Sequence, residues 1–372
     1  MRRLDRFLLS VVAAVLFNPL YVMAQSSQPN WKAEWNRTLE AAKKEGKVVV
    51  SLPASAELRK MTEETFKPRF GIEAELITAR GGAIVRRIAD EWKAGVRHFD
   101  IHIGGSSSAV SGLLAEGVLD PIEPFLILPE VKEPKNWWGG HMYADRAGRY
   151  IYTFQAYMTE GIWYNTTLMK PEEIRTYDDL LDPKWKGKIG FLDPRTPGAG
   201  DSTWSYLWKV KGEEYLKRLV AQKLHISRDQ RLLADNLAKG KLTVVIGLTH
   251  YSFLPFLKAG IPLKPLPTPK EGDYGTGGSG NLTILKNPPH PNATKLFVNW
   301  LLGKEGQEVF MKAMGQGTRR LDMDTKWLQE LGIIPAKDFL TVQQYMESEN
   351  QSEEKLETVR KPASEVARKL LD

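Results

Sequence analysis

The sequence predicts an α/β protein of two lobes, each a mostly parallel sheet flanked by helices, with two crossing strands as the hinge. Three observations carry this reading. Strand and helix patterns alternate as β-α-β-α-β over residues 47–115. A second α/β unit spans residues 188–246. Between and after them lie an extended aromatic stretch, residues 150–164, and a proline- and glycine-rich stretch, residues 262–280. Short turns between alternating strands and helices imply a parallel sheet covered on both faces. The two irregular stretches then carry the chain across to the second lobe and back.

The elements follow in order. Residues 31–45 have helical periodicity and end at Gly46. Residues 47–51 are a β-branched strand, and residues 56–67 a helix expected to stop at Pro68. A strand over 74–78 leads to an amphipathic helix over 83–94, with Ile84, Val85, Ile88 and Trp92 on one face. A strand over 99–103 and a helix from Ser107 complete the first unit. Residues 121–149 have no clear period. The second unit reads as a strand (188–192), helices (201–211, 213–222 and 230–239) and a strand (242–246). A return strand over 281–285 and a helical pair over 292–302 and 304–314 follow. The tail from Asp322 reads as helical, charged and wrapped on the first lobe. Residues 25–152 and 276–372 thus make the first lobe with its C-terminal helices, and residues 153–275 the second.

The N-terminus reads as a secretory signal peptide over residues 1–24. Arg2, Arg3 and Arg6 precede a charge-free run, and Val22, Met23 and Ala24 form the expected cleavage site. The run is shorter than the ~20 apolar residues a spanning helix needs. The whole chain carries +7. The leader holds three Arg and one Asp, so its removal leaves +5. Acidic and basic residues are interspersed, and no basic stripe alternates with aromatics, which argues against nucleic acid. The absence of cysteine excludes disulfides, thiolate metal sites and cysteine nucleophiles. An exported chain without a lipid-attachment cysteine is expected in the periplasm.

In open α/β sheets, ligands sit at the carboxyl ends of the strands, where helix N-termini also point. Four such turns stand out. Ser55 follows the first strand, and Arg80, Gly81 and Gly82 the second. Ser106 and Ser107 follow the third, and Arg195, Ser202 and Thr203 the first strand of the second unit. Glycines admit close backbone N–H groups, hydroxyls donate, and arginine grips carboxylate or phosphate in two parallel bonds. Helix capping accounts for serine and threonine at these positions equally well. His250 and Tyr251 follow the last strand of the second unit and suit hydrogen bonding or stacking on an organic solute. Two motifs are discounted. Gly275, Gly277 and Gly280 match G-x-G-x-x-G but precede a strand instead of a helix. His98 and His102 have zinc-helix spacing but fall on a strand, about 13 Å apart.

Residues 164–204, YNTTLMKPEEIRTYDDLLDPKWKGKIGFLDPRTPGAGDSTW, resemble the periplasmic solute-binding proteins of ABC importers, in particular the ferric-iron and organic-anion branch. PNATKLFVNWLLGKEGQEVF, residues 291–310, is similar to the same family. The resemblance implies a type II periplasmic binding protein fold and a non-catalytic, monomeric protein without cofactor. It further implies capture of a small, anionic organic solute (carboxylate, phosphonate or phosphate) between the lobes. An inner-membrane ABC permease with its ATPase is the implied partner, with no nucleic acid and no membrane insertion. Ferric iron is the alternative cargo and periplasmic hydrolysis a minor alternative activity. The iron binders of the family carry two adjacent tyrosines where this chain has His250 and Tyr251, and a histidine where it has Ser55. A hard ferric ion needs several anionic oxygens, which one tyrosine and one histidine do not provide.

Overall fold

The structure is a computed structural model that describes residues 31–79, 81–158 and 161–372. The signal peptide expected over residues 1–24 and the candidate Arg80 lie outside the described residues.

Helix Trp31–Glu45 leads into β1 (Lys47–Leu52), whose residues beyond Lys47 are all buried. Ser55 caps helix Ala56–Phe70, its Oγ accepting the Leu58 N–H at 3.2 Å. That helix runs past Pro68, where the sequence predicts a stop. A proline in the last turn removes only one ladder bond, and Phe66 and Phe70 bury on either side of it, with ring centroids 5.0 Å apart. The chain continues through β2 (Glu73–Thr78), helix Gly81–Lys93 and β3 (Ile101–Gly104) into helix Ser106–Ser108, which widens into a π-turn over Ala109–Leu114. After β4 (Leu119–Asp120) the chain passes through short 3-10 turns as far as β5 (Tyr152–Thr153).

The strands that follow are β6 (Tyr157–Met158), β7 (Ile162–Asn165), β8 (Ile189–Leu192), β9 (His225–Ser227), β10 (Val244–Ile246), β11 (Leu263–Pro265), β12 (Gly275–Thr276), β13 (Asn281–Leu285) and β14 (Ile334–Pro335). They build two main sheets. In the first, the order is β2-β1-β3-β13-β4, with β5 also on β13. Parallel β1–β2 pairing runs from Lys47 opposite Glu73 to Leu52 opposite Thr78, and β13 returns antiparallel against β3. In the second, the order is β11-β7-β10-β8-β9, with β10, β8 and β9 parallel and β7 reversed. Strands β6 and β12 pair with each other between the two sheets, and β14 adds to β6 on the other side.

The two helices expected over 201–211 and 213–222 form one run, Ala199–Val220, broken at Gly212 (φ 80°, ψ 177°). Only glycine takes this backbone without strain, which is why the sequence divides there. The tail does not stay on the first lobe. Helix Lys361–Leu371 packs on the long helix of the second, with Ala363 and Ala367 in the same core as Trp204 and Phe191. Two alanines four residues apart let the backbones approach, and Trp204 Nε1 donates to the Ala363 carbonyl at 2.9 Å. The apolar stripe of the tail shows that it packs, but the choice of lobe depends on which surface offers a matching groove.

Candidate functional site

The carboxyl ends of the strands of both main sheets face one cleft of about 1660 Å³. Its first wall carries Ser55, Gly81, Gly82, His102, Ser107 and Ser108. Its second carries Asp193, Ser202, Arg228, Gln230 and Thr249. Tyr157, Tyr274, Gly278 and Ser279 reach it from the crossing segments, and Gln351 from the tail. The space exceeds the ~300–1,000 Å³ of common ligand pockets, as an interlobe opening does.

Several residues singled out in the sequence meet here. Ser55 lines the cleft while serving as a helix cap. Gly81 and Gly82 open the 13-residue helix behind β2. A methyl group on Gly81 would stand 3.2 Å from Ser108 Oγ, so glycine keeps the two strand-end loops in contact. Ser202 sits in the first turn of the long helix, its Oγ donating to the Gly198 carbonyl at 3.1 Å. Tyr251 follows β10 of the second sheet but is half-buried against the core of the first lobe, at the edge of the cleft.

Others are not brought to the cleft. Arg195 turns away from it. Its Nε and Nη2 grip the Asp193 carboxylate at 2.9 and 3.0 Å, and its Nη1 reaches Asp372 at 2.7 Å. Ser106 donates its hydroxyl to the Gln351 carbonyl at 2.8 Å and is itself covered. Thr203 donates to the Ala199 carbonyl at 3.0 Å, one residue beyond the cleft wall. His250 lies behind the wall, with its ring 5.6 Å from that of Trp163 and against Gly315. Neither of its ring nitrogens has a hydrogen-bond partner among the described residues, and burial pushes its pKa down to about 4. In each case the residue lies where the sequence puts it along the chain, but its side chain points into packing or an ion pair.

The structure also brings in residues that the sequence reading passed over. Arg228 lines the cleft and bonds Asp193 Oδ2 through Nε at 3.0 Å. It follows β9, a three-residue strand too short to read by periodicity, and the strand-end rule would otherwise have found it. Burial raises the Asp193 carboxyl, but the hydrogen bonds from Arg195 and Arg228 outweigh it and hold the pKa at about 2. Gln230 Oε1 accepts from Thr249 Oγ1 at 2.9 Å and Ser252 Oγ at 2.8 Å, which fixes two hydroxyls on the wall. Burial raises the pKa of the Tyr274 phenol, against the lowering influence of the neighbouring Thr203 and Ser202 hydroxyls, and raises that of Tyr157. His102 hydrogen-bonds Ser51 through Nδ1 at 2.9 Å, and burial lowers its pKa to about 4. The discounted glycine motif serves packing. A methyl group on Gly280 would stand 2.0 Å from Gln155 Cγ, and one on Gly277 2.7 Å from Thr153 Cγ2.

Two α/β lobes joined by crossing strands, with a cleft at the strand ends, define a type II periplasmic binding protein fold. The model of the bacterial extracellular solute-binding proteins matches residues 50–308, and the chain belongs to that family. Its members bind solutes and deliver them to ABC permeases. An uncharacterized protein of Haemophilus influenzae is 26% identical over 284 residues, which cover 73% of this chain and 77% of that one. The fold is similar to iron-bound HitA from Pseudomonas aeruginosa (TM-score 0.64, 18% identity, covering 88% of this chain and 99% of that one). It is equally similar to AfuA from Actinobacillus pleuropneumoniae with fructose-6-phosphate bound (TM-score 0.65, 21% identity, covering 88% and 98%).

Proposed function

We propose that this protein captures a small organic anion, bearing a carboxylate, phosphonate or phosphate, and passes it to an ABC permease without chemical change. It acts in the periplasm as a monomer. The observation that carries this is the convergence on one cleft of the N-termini of the 13-residue and 22-residue helices with Ser107, Ser202 and Arg228. Helix N-termini present unpaired N–H groups and about half a positive charge. Arg228 adds a guanidinium, and the Asp193 charge beside it is already shared between two arginines. A solute touching both walls favours the closed arrangement by its binding free energy. A micromolar affinity, about −8 kcal/mol, suffices to drive such a hinge.

Ferric iron is the second reading, favoured by three tyrosines, Tyr157, Tyr251 and Tyr274, at the cleft. Burial raises the pKa of the Tyr157 and Tyr274 phenols, which adds to the cost of the deprotonation that ligating a hard trivalent ion requires. The anion reading therefore ranks first.

Isothermal titration of the mature protein with inorganic phosphate, citrate and fructose 6-phosphate tests it. At least one is expected to bind at micromolar Kd, and Arg228→Ala to weaken that binding at least tenfold. No heat with any of the three, together with a visible charge-transfer band on adding ferric iron, would reverse the ranking.

A further inference from the structure

The tail passes between the two lobes at the cleft, beyond the residues that define the family match. Its turn over residues 349–353 is held from both sides. The Ser106 hydroxyl donates to the Gln351 carbonyl at 2.8 Å, and the Glu353 N–H donates to the Ala144 carbonyl at 2.7 Å. On the opposite wall, Asn350 Nδ2 donates to the Ser202 carbonyl at 2.8 Å. The Glu349 carboxylate fixes the turn itself, accepting from the N–H groups of Gln351 and Ser352 at 2.8 and 2.9 Å. Gln351 is thereby placed on the cleft wall beside Ser202.

The hydrogen bonds determine which way its carboxamide faces. The Ser202 hydroxyl gives its proton to the Gly198 carbonyl, so toward Gln351 it can only accept. Gln351 accordingly presents Nε2 to Ser202, at 3.4 Å. Its Oε1 is left as a covered acceptor with no partner among the described residues. An unpaired buried acceptor is unfavourable, and the last torsion of a glutamine side chain is soft. A donor entering the cleft can therefore claim this oxygen at little conformational cost.

We infer that Gln351 is a specificity-determining residue of the cleft. It supplies a neutral acceptor for a hydroxyl or N–H group of the solute. The inference rests on the anion reading and deepens it: the preferred solute is an anion that also carries a hydrogen-bond donor, in preference to a bare inorganic anion.

The test uses the full mature chain and two probes, fructose 6-phosphate and inorganic phosphate. Gln351→Met keeps the side-chain length and the main-chain carbonyl that Ser106 holds, but removes the acceptor. Its Kd for the sugar phosphate is expected to rise about tenfold, and its Kd for inorganic phosphate to stay within about twofold. Gln351→Ala is expected to give the same pattern and guards against a packing artefact of the methionine. Equal weakening toward both probes would mean a merely structural tail, and no weakening toward either would remove Gln351 from the site. Both outcomes overturn the inference and leave the anion reading standing. Failure of the wild-type protein to bind either probe overturns the inference, and failure to bind citrate as well overturns the anion reading with it.

Discussion

The Arg360 guanidinium bonds the Asp201 carboxylate through Nε, at 3.0 Å, and through Nη2, joining the tail to the first turn of the long cleft helix. Nη2 also donates to the Gly198 carbonyl at 3.2 Å. Both side chains are buried, and burial pushes the Asp201 pKa up against the pull of Arg360. The bond therefore couples the end of the chain to the same turn that carries Ser202.

Removing one partner leaves an uncompensated charge in the core. Arg360→Met is expected to cost about 3–5 kcal/mol and lower Tm by several degrees at neutral pH. The double variant with Asp201→Leu is expected to regain most of the loss, because desolvating neither charge is nearly neutral. Thermal unfolding of the three proteins checks this, and a double variant no better than the single would show that the pair itself is not what holds the tail.

His250 makes stability depend on acid. Its folded pKa of about 4 lies below the ordinary value of about 6.5, so the unfolded chain binds the proton more readily. Its contribution is present above about pH 6.5 and is lost as pH falls toward 4, up to about 3 kcal/mol. His102 titrates in the same window. His250→Phe is expected to flatten part of the fall in Tm between pH 6.5 and 4 and to leave solute binding at neutral pH near the wild-type value. An unchanged pH profile, or abolished binding, would contradict the placement of this ring behind the cleft wall.

Gly200 is where the long helix meets two strand ends. A methyl group there would stand 2.3 Å from the Leu192 carbonyl oxygen, and one on Gly247 would stand 2.8 Å from Gly200 Cα. Backbone atoms cannot yield as a side-chain tip can, so Gly200→Ala is expected to cost at least about 2 kcal/mol. Because the same turn carries Ser202, solute affinity should fall with stability. Unaltered Tm and affinity would mean that the turn has slack which this close approach denies.

The alternation of strands and helices, the return strand at residues 281–285 and the positions of the strand-end turns were all legible in the chain. These depend on local periodicity and on Gly and Pro, which act over a few residues. The sequence also carried the phrases that place the chain in its family. Which side chains face the cleft depends on packing between distant segments. Arg195 and Arg228 both follow strands of the second sheet and both bond Asp193, yet only Arg228 lines the opening. The tail was legible as helices, but its docking on the long helix was not, nor was the delivery of Gln351 to the cleft. Such choices depend on complementary surfaces more than a hundred residues apart, and no local pattern in the chain encodes them.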